Sequence, residues 1–146
     1  MITGQRDLLN AFKAAGKKGR KIVSKAVFIT AQEVRNNAVT SLNTVSTGDP
    51  VTRHTQGGRP YTHIAAAPEH APNTDTGRLV QSVAVEQQTD LTAYVGTNVD
   101  YGKYLEFGTS NMEERPWLNP ALERVRAKGS LQSNIKKLYG RVGRNK

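Results

Sequence analysis

The sequence predicts an α+β fold: a long N-terminal amphipathic helix and a C-terminal helix packed on a small antiparallel β-sheet, with a long irregular loop. Three observations carry this. Apolar residues recur at three- and four-residue steps near both ends of the chain, they alternate between positions 78 and 97, and 43–77 shows no period at all. A chain of 146 residues suits a single domain over 1–146 with its own core.

The first helical segment spans 6–42. Leu8, Leu9, Phe12 and Ala15 have helical spacing, and Gly16 and Gly19 then predict a break or bend, each weakening a helix by about 1 kcal/mol against Ala. Beyond it Val23, Val27, Ala31, Val34, Ala38 and Leu42 form one stripe, widened by Ile22 and Ala26, with Lys and Arg on the wet side. Residues 43–77 are rich in Gly, Pro, Thr and Ser and hold all three His, which predicts an extended loop or arm with at most a brief strand near Tyr61–Ala65. In 78–97 Leu79, Val83 and Val85 oppose Ser82 and Glu86, and Leu91, Ala93 and Val95 oppose Thr92 and Tyr94. The polar link Gln88-Thr89-Asp90 makes the pair a hairpin, entered by a turn that draws on Asp75 and Gly77.

A short helix over 100–107 follows, with Asp100 as its cap and Gly108 as a left-handed stop. Tyr101, Tyr104 and Leu105 share one side of it, which predicts rings packed on the hairpin. Glu106 falls in the last turn, where its charge opposes the helix dipole, so it needs a partner: N–H groups of Thr109 and Ser110, or the guanidinium of Arg115 or Arg78. Arg115 to Pro120 is a stiff extended strap, because each proline keeps its predecessor out of the helical region, and Trp117 is its core anchor. Asn119 as N-cap and Pro120 as first residue open a C-terminal helix over 120–139, irregular at Gly129-Ser130 and ended by Gly140 before a basic tail, 140–146.

The charge is uneven. The total of +9 divides into +6 over 1–30, −4 over 31–120 and +7 over 121–146. Lys17, Lys18, Arg20, Lys21, Lys136, Lys137, Arg141 and Arg144 are thus candidate contacts for phosphates or for an acidic partner. The rival to a structural role is sequence-independent nucleic-acid binding, although the basic segments offer little aromatic surface for base stacking. The longest apolar runs are four residues, too short to span a bilayer, and no secretory segment follows the first Met, so a soluble protein of the cytoplasm is expected.

No catalytic, cofactor or metal constellation emerges. The chain has no Cys. His54, His63 and His70 lack the spacing of a zinc motif and read as solvated loop residues. No nucleophile elbow and no phosphate-binding glycine motif is present. Glu113 and Glu114 are adjacent and point apart. The expectation is a protein that is not an enzyme.

Three segments in order carry a resemblance: "DTGRLVQS" at 75–82, "YVGTNVDYGKYLEFGTS" at 94–110 and "RPWLNPALE" at 115–123. Together with the N-terminal helix, over roughly 6–140, they resemble the small tail-component proteins of long-tailed phages, the tail-completion or neck proteins at the head–tail junction. The motif residues are Asp75, Thr76, Gly77, Arg78, Leu79, Tyr101, Tyr104, Glu106, Phe107, Gly108, Thr109, Pro116, Trp117 and Pro120. The loop before "DTGRL" is longer than that pattern. The resemblance implies a structural protein of the virion, assembled in the host cytoplasm without a membrane or cofactor. It further implies a six-fold homo-oligomeric ring around the DNA channel, joining head-closure or connector proteins to tail terminator and tail tube proteins. A tail-terminator-type ring is the neighbouring alternative.

Overall fold

A computed structural model describes residues 16–143. Its spine is α1 (Gly16–Asn43), whose predicted stripe is buried from Ile22 to Leu42. Of the two glycines at which a break is expected, Gly16 is the first residue of α1, at φ 61°. Gly19 is buried inside the helix instead. The expected turns over 6–15 lie outside the described residues.

Two layers cover α1. On one side lie α4 (Asn119–Ala127) and α5 (Ser130–Gly143); on another lies the antiparallel hairpin of β3 (Ala84–Thr89) and β4 (Thr92–Gly96). Polar cross-links fix each layer. Buried Asn134 donates to Thr30 Oγ1 at 3.1 Å and Glu33 Oε1 at 3.0 Å, Gln87 Nε2 donates to Ser24 O, and Arg35 Nε donates to Val83 O. The fold class is therefore α+β, as the periodicities predicted.

Three element boundaries differ from the expectation. Residues 43–77 are not all irregular: β1 (Pro50–His54) and β2 (Pro60–Ile64) pair as a second, separate antiparallel hairpin. Its turn closes through Gly58, at φ 78°, whose N–H donates to Thr55 O. The alternation expected from 78 begins only at 84, because residues 78–82 form one helical turn, α2 (Arg78–Ser82), entered through Gly77 at φ 74°. Leu79 and Val83 share a buried side there by helical spacing. The C-terminal helix is two helices, parted where Gly129 takes φ 60°, and it runs through Gly140 to Gly143.

The core centres on Trp117, 2% exposed, packed with Ala38, Leu42, Leu79, Val83 and Ala121. Among the described residues no helix is long and apolar enough to cross a membrane.

Candidate functional site

The 20 residues from Tyr101 to Pro120 form a joint between α3 (Tyr101–Phe107) and α4, and α3 is inside out. Its buried residues are Gly102 and Glu106, with Leu105 half-buried, while Tyr101, Tyr104 and Phe107 are exposed, Phe107 at 78%. The rings expected in the core are therefore at the surface. The reason is Trp117. Its indole Nε1 donates to Gly102 O at 3.1 Å, and a Cβ on Gly102 would meet Thr97 Cγ2 at 2.6 Å, so only glycine lets the helix approach this closely. That contact sets the rotation of α3 and turns its aromatic side outward.

Glu106 completes the joint. Its Oε2 accepts from the backbone N–H of Trp117 at 2.8 Å and of Leu118 at 2.9 Å, and its Oε1 accepts from that of Asn119 at 2.7 Å. Leu118 and Asn119 open α4, whose N-cap offers no capping side chain of its own. The carboxylate thus stands in for the missing cap. Its charge, unfavourable at the end of α3, lies at the start of α4, where the dipole favours it. The partners expected at Thr109, Ser110, Arg115 or Arg78 are not the ones it takes. Asn119 is the first helical residue instead of the cap, and Pro120 the second, its absent N–H leaving one orphan donor fewer.

Gly108 ends α3 at φ 68° and ψ −176°, a region open to glycine, and a Cβ there would meet Met112 O at 2.8 Å. Thr109 and Met112 then close a tight turn, and Arg115 N–H donates to Leu105 O at 2.7 Å, which starts the strap. Asp100 occupies the cap position of α3 without a side-chain bond. Pro116 is half-buried beside Trp117.

The other motif holds the arm. Asp75 accepts from Arg53 Nη1 at 2.6 Å and from the Tyr61 hydroxyl at 2.7 Å, and His63 Nδ1 lies 3.8 Å away. The Tyr61 hydrogen bond first, with Arg53 and His63 adding, holds the Asp75 carboxyl below its ordinary range; the same bond raises Tyr61. Asn73 pairs reciprocally with Ser46 and also donates to Ile64 O, and Thr74 Oγ1 donates to Leu42 O. The β1–β2 hairpin is thus clasped at its base. His63, expected to be solvated, belongs to this clasp. Thr76 is exposed, Leu79 is core, and Arg78 lines a cleft of about 500 Å³ between arm and body together with Arg53, His63, Asp75, Tyr101 and Arg115.

Sequence reasoning missed Asn73 and Gly102. An Asn between Pro72 and Thr74 reads as ordinary turn chemistry, and Gly102 as a tolerated helical glycine. The basic candidates Lys17, Lys18, Arg20 and Lys21 are exposed on α1, and Lys136, Lys137 and Arg141 on α5; Arg144 lies outside the described residues. No group of His, Cys, Asp or Glu that could hold a metal ion occurs among the described residues.

Neither the curated proteins nor the solved structures yield a match. A family model described as "Bacteriophage HK97-gp10, putative tail-component" matches residues 6–108. That span holds α1, the arm, the Asp75 clasp and α3 with Glu106, and the strap lies beyond it. The chain belongs to the HK97-gp10-like family of bacteriophage tail components.

Proposed function

We propose that this tail component is a non-catalytic subunit of the phage head–tail junction, a tail-completion or neck protein. Copies form a ring, six-fold, around the channel for genomic DNA, and the ring joins head-closure or connector proteins to the tail terminator and tail tube. The observation that carries the reading is how the family-motif residues are used. Asp75, Glu106, Gly108 and Trp117 all hold one element of the chain against another. They set a rigid body that displays an arm and an aromatic helix. A ring needs two different faces on each subunit, and such displayed elements supply them.

The test is a phage in which this gene is silenced. Filled heads and finished tails should accumulate unjoined, and added protein should join them in an extract. Intact, infectious virions lacking the protein would end the proposal.

A further inference from the structure

Two surfaces remain unexplained by the joint and the clasp. The first is the outward side of α3. Tyr101, Tyr104 and Phe107 are 40%, 47% and 78% exposed, and the Glu106 and Trp117 contacts prevent the helix from turning them in. At about 200 Å² per ring, those fractions present roughly 300–350 Å² of aromatic surface, the centre of a patch that needs about 800 Å² on each partner. Near it in sequence are the exposed carboxylates Asp100, Glu113 and Glu114, which form no ion pair among the described residues, and one exposed cation, Lys103, already 5.0 Å from the Tyr104 ring centre.

The second is a groove of about 540 Å³ between α1 and the β3–β4 turn, lined by Lys17, Arg20, Lys21, Lys25, Phe28 and Asp90, among others. Lys17, Lys21 and Lys25 form no ion pair among the described residues, and Phe28 is 38% exposed. Ammonium groups favour aromatic faces and carboxylates, and the α3 side offers both. The two surfaces belong to opposite ends of α1. Trp117, against which α3 packs, contacts the core at Ala38, about 25 Å along the helix from Lys21 at 1.5 Å per residue.

We propose that the aromatic side of α3 in one copy seats in the basic α1 groove of the next. Such a head-to-tail contact is heterologous and leaves one free surface of each kind to continue the array. The inference rests on the ring reading and specifies its subunit contact.

The test is sedimentation of the full chain at low salt. The wild type should associate as its concentration rises. Tyr104→Ala/Phe107→Ala and Lys17→Glu/Lys21→Glu/Lys25→Glu should each weaken association at least about tenfold. Both should melt within a few degrees of the wild type, since the altered residues are exposed. Mixed together, the two variants should form 1:1 dimers and stop, because each keeps one competent surface. A wild type that stays monomeric, a variant that associates normally, or a mixture without dimers would overturn the contact. So would a lysine variant that loses duplex DNA binding while its self-association is intact, which would assign the groove to nucleic acid. Failure of the junction reading looks different: the contact would form in solution while the protein is missing from the junction of imaged virions.

Discussion

Replacing Glu106 probes the joint most sharply. Glu106→Ala strips the acceptor from three backbone N–H groups, that of Trp117 being fully buried and those of Leu118 and Asn119 partly so. A buried donor left unpaired costs about 1–3 kcal/mol, and the two partly buried ones recover some of that from water. The expected loss, summed over the three groups, is therefore about 3–5 kcal/mol. At about 3 °C per kcal/mol for a chain of this length, the melting midpoint should fall by on the order of 10–15 °C. Glu106→Gln keeps the shape and one good acceptor but turns an amide NH₂ toward a donor, so about half that drop is expected. Thermal and denaturant unfolding of the three proteins side by side provide the assay. A fall of less than about 2 °C for the alanine variant would mean that the carboxylate counts for no more than an ordinary surface group.

Trp117→Ala should cost about 3–5 kcal/mol in denaturant unfolding, because it empties the centre of the core, whereas Trp117→Phe loses mainly the bond to Gly102 O, about 1 kcal/mol. Gly102→Ala drives a methyl to 2.6 Å from Thr97 Cγ2 and should destabilise by about 1–3 kcal/mol, with Thr97→Ser in the same chain recovering part of the loss. Asp75→Asn should free the arm: backbone amides of 50–64 should exchange faster by mass spectrometry while amides of α1 hold. The same clasp has a defined pH window. Asp75 is lowered from 3.8, so its contribution is full above that value and is lost as pH falls through its folded pKa. Tyr61 is raised from 10.0, so its contribution is full below that value and is lost as pH rises through its folded pKa. Arm protection should therefore fall on the acid side as Asp75 is protonated and on the alkaline side as Tyr61 ionises, and protection unchanged through both would contradict the assignment.

The long stripe on α1 and the alternation of 84–96 were legible because each element buries one side and its period survives in the residues that do so. The arm was not. PVTRH is exposed throughout and PYTHI half-buries only Tyr61 and His63, so no apolar alternation marks its strands, and the clasp that holds it links Asp75 to Arg53 and Tyr61 across 14 to 22 positions. The turn Arg78–Ser82 reads as strand in the sequence because Leu79 and Val83 fit either period over so short a run. The rotation of α3 is hidden in the sequence for a related reason. Its aromatic residues make the more apolar side, but the buried side is dictated by Trp117, 15 positions from Gly102. Glu106 was recognised as needing a partner from its place in the last turn; which N–H groups it takes depends on the path of the strap, which two prolines stiffen but do not aim.

On the proposed reading, this tail component builds the head–tail junction as a ring of subunits whose motifs serve as internal fastenings. An electron cryomicroscopy image of the virion neck at side-chain resolution tests it most directly. The expected image is a closed ring at the joint, Glu106 bonded within each subunit to the start of α4, and Phe107 of one copy against the Lys17–Lys25 groove of the next. Density for the protein elsewhere along the tail, or none in the virion, would contradict it.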